Sequence, residues 1–405
     1  MTELGSVSER RPGASADSSQ IPGVLRREPD AVALPSLSLA AVARLTRYCA
    51  VFFISLAILT GGLASDHTPA LDEHLYTSAA QAFLAGAPST NIEHPPFAKY
   101  LIALSIKIFG DNFLGYRFSS GLAGALIALS GFGLTLRLTR TLHSAYIAWI
   151  LLLANGFLLV ESRSANLIIF QVAFELAGVW AFLVAIETAN EKRSSAWFVW
   201  AGVLLGLSVA SRWCGLPALV ACCLYLLFQH RHITKNLLLV AGSSLAAYVV
   251  SWIPLLIREH RSLTYLYSAN HYILFSHAHY RENMIDLRPL DPWWASILRF
   301  QQQESFRQLI ANPVIASLGL IALVVLLWQH KPLLPTLYTL HILQWAIVRY
   351  LPQYYYYYLD SFTWLTIALA VALCGISFKR IRLDLVVTAC ALGSALWPLY
   401  AALRY

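Results

Sequence analysis

The sequence predicts an all-α polytopic membrane protein with about eleven transmembrane helices, and three observations predict it. Of its 405 residues, 58% are hydrophobic and only 12% are charged, whereas soluble globular chains carry about a quarter charged residues. Lipid must therefore be the main solvent. Apolar runs recur, as at Tyr48 to Ala64, Leu237 to Ile257, Ile315 to Trp328 and Phe362 to Phe378, several of them near the roughly 20 residues a helix needs to cross a bilayer. Alternating sides from the first run places Arg137 to His143, Asn190 to Ser195, His230 to Lys235, Gln329 to Lys331 and Lys379 to Arg382 on one face, and each of these turns carries Lys or Arg. Such a bias marks the cytoplasmic side.

Residues 1–45 are rich in Ser, Pro, Arg and Ala without hydrophobic periodicity, and read as a disordered cytoplasmic tail. The first apolar run follows Arg44 and Arg47. It reads as an uncleaved anchor rather than a signal peptide, which puts the N-terminus inside. Residues 46–405 form the transmembrane domain, with two polar and aromatic external segments longer than turns, 65–96 and 258–307. The other connections are short, as in a helical bundle. Gly202 and Gly206 have the spacing of close helix packing. Lys99, Lys107, Arg117, Arg163, Arg212 and Arg349 fall on or near the outer side, against the charge bias, and call for a separate explanation.

The net charge of +8 is dispersed among hydrophobic segments, and no aromatic-basic module for nucleic acid is present. The six cysteines, Cys49, Cys214, Cys222, Cys223, Cys374 and Cys390, lie in apolar stretches. They lack the spacing of a zinc site or a disulfide framework and read as packed thiols.

Chemistry concentrates in Leu71-Asp72-Glu73-His74-Leu75-Tyr76 and Asn91-Ile92-Glu93-His94-Pro95-Pro96-Phe97-Ala98-Lys99. Proline is excluded from helix interiors, so Pro95-Pro96 marks a rigid helix start, with His94 just before it and Lys99 in its first turn. An acidic dipeptide by itself is a solvated loop pair. The order of elements changes that reading: an acidic pair after the first span, an Ala-rich helix, His-Pro-Pro with a lysine three residues on, then Gly115-Tyr116-Arg117. This order resembles the protein O-mannosyltransferase family and its bacterial and archaeal relatives, over roughly Asp72 to Arg163 and more loosely beyond.

The resemblance implies a membrane glycosyltransferase of the C-type fold that uses a sugar carried on a polyprenyl monophosphate, mannose first among candidates. Asp72 matches the family's catalytic acid, which takes the proton from an acceptor hydroxyl as it attacks the anomeric carbon. A single displacement of this kind inverts the anomeric centre. Glu73 is that residue's usual neighbour. His94 and Lys99 match binding positions, and Arg117 matches an arginine near the lipid phosphate. Cations in a partly water-excluded cavity stabilise the charge growing on a phosphate leaving group, and Arg163 and Arg349 are further candidates, with snorkelling to headgroups as the alternative.

The loop with Asn270-His271-Tyr272, His277, His279 and Trp293-Trp294, and the run Tyr354 to Tyr358, loosely resemble the family's His, Tyr and Trp segments. His277 and His279 are candidates for substrate binding, or for helping a divalent cation with Asp72 or Glu73 as an oxygen ligand; interfacial aromatic anchoring is the plainer reading. The sequence departs from the family at Ile168, where an Asp is expected after Ser162-Arg163-Ser164, and at Phe97-Ala98, which replace Leu-Gly. The expected partners are the lipid-linked donor, an exported protein or glycolipid acceptor and membrane lipid. The expected setting is a bacterial inner membrane with the active site on the external face. A flippase of lipid-linked sugars would need the same cations but no base, and the paired halves common in transporters are not found. An inactive structural subunit is the remaining alternative, raised by Ile168.

Overall fold

The structure, a computed structural model, describes residues 38–64, 72–229, 233–283, 312–347, 358–374, 384 and 386–393. Most of the expected N-terminal tail, Trp293-Trp294, Arg349 and Tyr354 to Tyr357 lie outside the described residues, as do the side chains of His277 and His279. The chain divides after Leu45 into two units, and the site lies wholly in the second.

The described residues are helical, with no strand among them. The helices run α1 Leu39–Thr60, α2 Glu73–Leu84, α3 Phe97–Phe109, α4 Phe113–Thr139, α5 Leu142–Leu153, α6 Gly156–Glu161, α7 Leu167–Glu187, α8 Glu191–Ser211, α9 Leu216–Gln229, α10 Ile233–Arg258, α11 Thr264–Asn283, α12 Pro313–Trp328, α13 Leu333–Ile347 and α14 Leu359–Cys374. Among the described residues five helices are long and apolar enough to cross a membrane: α1, α4, α7, α8 and α10. Shorter apolar helices accompany them, so full-length spans among the described residues account for five of the expected eleven or so. At 1.5 Å per residue, the 13 residues of α3 extend about 20 Å, short of the roughly 30 Å hydrocarbon core. The helix of Lys99 is therefore shorter than a full-length span. The expected loop 65–96 contains α2, and 258–307 contains α11.

The first helix starts at Leu39, earlier than the expected tail end at 45. Ser38 explains it: its Oγ accepts a hydrogen bond from the Ala41 N–H at 3.2 Å, ahead of a Leu-Ala-Ala-Val-Ala run of mostly strong helix formers. The bundle is organised around α7, buried along almost its whole length and packed by α4 and α8. A helix apolar on every side belongs at the centre of such a bundle. Gly202 and Gly206 bring α8 against α10 so closely that a Cβ at either would run into the backbone of Val240 or Ser244, which bears out the small-residue reading.

The two ends of the bundle are distinguishable by their ion pairs. At one end Arg137 and Arg140 pair with Glu187 at 2.6 and 2.8 Å, Lys235 with Glu191 at 2.6 Å, and His143 with Asp384. Three of the five turns that the sequence groups on one side, 137–143, 190–195 and 230–235, contribute to these pairs. The start of α2, the start of α4, the turn before α7 and the end of α8 gather at the other end, where the site lies.

Candidate active site

The site begins with a backbone feature. Asp72, the residue before α2, sits in the left-handed region at φ 60°, a conformation that short polar side chains such as Asp tolerate better than most. The side chain of Asp72 does not cap its own helix and is half-buried. The reversal turns the next residue inward: Glu73 is 2% exposed. Its Oε1 accepts from Arg117 Nε–H and its Oε2 from Arg117 Nη2–H, each at 2.7 Å, and Oε1 also accepts the Ala165 N–H at 2.9 Å.

Arg117 lies in the first turns of α4, 1% exposed, with its guanidinium 4.7 Å above the Phe113 ring. A forked, bidentate pair fixes both side chains in angle as well as distance. One carboxylate thus ties α2, α4 and the turn before α7. The start of α4 is itself held by Asn112, whose side chain accepts the Gly115 N–H at 3.0 Å, and by Gly110, whose φ of +92° makes the tight turn out of α3.

Lys99 is 5% exposed and points back at the loop before its helix, where Nζ donates to the carbonyls of Asn91 and, at 2.9 Å, His94. Burial pushes the Lys99 ammonium down to about 7, against the pull of Glu93. Lys99 therefore pins the His-Pro-Pro loop, and the His94 ring lies 6.0 Å from that of Tyr76. Arg163 is half-buried, its Nη1 donating to the Gly61 carbonyl at 2.6 Å, which fastens the turn before α7 to the end of α1. At the far end of α2, Arg258 donates to Ala82 O at 3.2 Å over the Phe83 ring, and Glu259 accepts the Ser89 N–H at 2.8 Å.

The structure adds two residues that sequence reasoning left without a role. Glu161, at the end of α6, is 1% exposed, and Arg212, just after α8, is 2% exposed. Burial pushes the Glu161 carboxyl up to about 8; the Arg212 charge opposes this and the Glu73 carboxylate adds to it. A lone acid at the end of an apolar stretch is a usable signal, since ionisable groups in such stretches are costly and seldom idle. Ile168 is fully buried in the core.

The structure thus gathers Asp72, Glu73, Lys99, Arg117, Glu161, Arg163 and Arg212 near the starts of α2, α3, α4 and α7 and the end of α8. Among the described residues no group of three or more His, Cys, Asp or Glu side chains is arranged to hold a metal ion. A half-buried carboxylate such as Asp72 can receive a proton, and held cations can stabilise an anionic group as it departs.

Comparison with known proteins follows the same lines. Residues 93–254 match the sequence profile of the dolichyl-phosphate-mannose-protein mannosyltransferase family, a segment holding His94, Lys99, Arg117 and Arg163 and starting after Asp72 and Glu73. The polyprenol-phosphate-mannose–protein mannosyltransferase of Mycolicibacterium smegmatis is 32% identical over 174 residues, 37% of this chain and 34% of that protein. The undecaprenyl phosphate-alpha-4-amino-4-deoxy-L-arabinose arabinosyl transferase of Pseudomonas aeruginosa is 26% identical over 240 residues, 55% of this chain and 42% of that protein. The matched part of the chain spans about a third to two fifths of the length of these relatives. In fold, the chain resembles ArnT from Cupriavidus metallidurans bound to undecaprenyl phosphate, with a TM-score of 0.55 and 17% identity over 86% of this chain and 63% of that one. The chain is therefore a helical membrane protein of the C-type glycosyltransferase fold, similar in residues 93–254 to the dolichyl-phosphate-mannose-protein mannosyltransferases.

Proposed function

We propose that the protein is a membrane glycosyltransferase that moves a sugar, mannose first among candidates, from a polyprenyl monophosphate to a hydroxyl on the external face. The observation that supports this reading is the buried clamp of Glu73 on Arg117 and the Ala165 N–H, with Asp72 half-buried immediately before it at the start of α2. The names of the relatives support a polyprenyl-phosphate donor.

In the proposed reaction the acceptor oxygen attacks the anomeric carbon, the bond from that carbon to the phosphate oxygen breaks, and the polyprenyl phosphate leaves with the bonding electrons. The acceptor proton passes to the Asp72 carboxylate. One displacement inverts the anomeric centre. Glu73 acts through Asp72 as a positioning residue, and Lys99 sets the His94 loop. Arg117, Arg163 and Arg349 are the cations assigned to the phosphate charge, and His94, His277 and His279 are assigned to donor binding. The acceptor is a Ser or Thr of an exported protein, or a glycolipid, and the membrane is a bacterial inner membrane with the N-terminus inside.

The test is donor choice. Purified protein in lipid nanodiscs is given labelled polyprenyl phosphate mannose or polyprenyl phosphate aminoarabinose, with peptide or glycolipid acceptors. Transfer of mannose in preference to aminoarabinose is expected, with inverted configuration in the product. Binding of both donors without release of either sugar to any acceptor or to water would replace the enzyme by a carrier of lipid-linked sugars.

A further inference from the structure

Away from the site, three ionisable side chains meet where no solvent reaches. Glu175 of α7, His341 of α13 and Asp360 of α14 are each 0% exposed. Glu175 lies about 12 Å along α7 from its start, at 1.5 Å per residue. Its Oε1 accepts from the Trp364 indole N–H at 2.6 Å and its Oε2 from the Gln171 amide N–H at 2.5 Å. Accepting at both oxygens is the pattern of an ionised carboxylate.

His341 Nδ1 lies 2.7 Å from the Leu337 carbonyl oxygen. A carbonyl only accepts, so Nδ1 carries a hydrogen. Nε2 stands 3.1 Å from Glu175 Oε1, an approach that is attractive when Nε2 is protonated as well. Asp360 is the third member. Its Oδ1 accepts from the Ser361 N–H and, at 3.0 Å, the Ser361 hydroxyl, while Oδ2 has no hydrogen-bond partner among the described residues and lies 4.0 Å from His341 Nε2.

An imidazolium and one carboxylate cancel in charge. A second carboxylate would leave a net negative charge in a bundle core, among the costliest things to bury. We propose that Glu175, His341 and Asp360 form a buried proton-binding site that holds two protons, as an imidazolium–carboxylate pair beside a neutral Asp360 carboxyl. The site locks α13 and α14 onto α7, the helix whose preceding turn donates the Ala165 N–H to Glu73. Among the described residues, the surrounding groups that interact electrostatically with it include Cys214 after α8, itself influenced by Arg212, Cys222 of α9, and Tyr358, itself influenced by Tyr338.

Infrared difference spectra of the protein in nanodiscs at neutral pH, in light and heavy water, test this. A Glu161→Gln background removes the other buried acid expected to hold a proton. The expected result is a deuterium-sensitive protonated-carboxyl band that is absent from Asp360→Asn and displaced in Ser361→Ala, which keeps the acid but loses one donor to it. Asp360→Asn exchanges one neutral group for another and keeps the melting temperature near that of the parent, whereas His341→Gln strands the Glu175 carboxylate and lowers it. If Asp360→Asn does not fold, the band and its displacement in Ser361→Ala decide. Absence of any band dependent on Asp360 or Ser361 overturns the proposal. So does a rise in melting temperature with sodium or potassium over choline that requires Asp360, which would make the ligand a metal cation instead.

Discussion

At the residue scale, the pairing of Glu73 with Arg117 separates holding from reacting. Glu73→Gln leaves a buried guanidinium without its counter-charge, and a broken buried pair costs about 3–5 kcal/mol. Arg117→Lys keeps the charge but loses the fork, so both variants are expected to melt below the wild type in nanodiscs, read by a thermal shift. Glu161 and Lys99 give opposite pH dependences. The folded state keeps a proton on Glu161 up to about 8, against an ordinary value of 4.5, so this group's stability contribution falls as pH rises between those values. Lys99 releases its proton at about 7 in the folded state against 10.5 ordinarily; above about 7 its contribution rises with pH. Melting curves from pH 5 to pH 8 are expected to show a decline that Glu161→Gln flattens. Asp72, His94, Lys99 and Arg117 were legible in the sequence because they follow one another in a recognisable order. The electrostatic influence of Arg212 on Glu161 was not, because it acts between the ends of α6 and α8 and leaves no local spacing.

At the element scale, the contact of α8 with α10 was legible from Gly202 and Gly206, since only packing backbone on backbone calls for that spacing in an apolar helix. Gly206→Ala would drive a Cβ into the Ser244 backbone, which cannot rotate away, and overpacking of this kind costs about 1–3 kcal/mol. Gly242→Ala, in α10, meets nothing within 4 Å and gains helix propensity of up to about 1 kcal/mol. Thermal shifts of opposite sign are expected from the two variants. The start of α1 and the shortness of α3 were less legible. A Ser-capped helix start inside a Ser-rich segment looks like more of that segment, and an apolar 13-residue helix has the composition of a span without its length.

At the scale of the whole molecule, the sequence pattern separated the two ends correctly in the described residues, because the paired basic turns around Arg137 and Asn190 gather at one end and the Glu73–Arg117 clamp at the other. Which end faces outward follows from the charge bias alone, and labelling checks it. In a background without the native cysteines, Thr90→Cys is expected to react with a membrane-impermeant maleimide on intact cells, and Ser194→Cys only after permeabilisation. The reverse pattern would place the site inside.

The most direct measurement is sugar transfer and donor binding side by side, for wild type and Asp72→Asn in nanodiscs with labelled polyprenyl phosphate mannose. If Asp72 is the base, the variant binds the lipid donor as the wild type does while transfer falls by about 10²–10⁴-fold, the usual contribution of a positioned base. Transfer by Asp72→Asn at the wild-type rate, with binding intact, would contradict the assignment and move the chemistry to another residue.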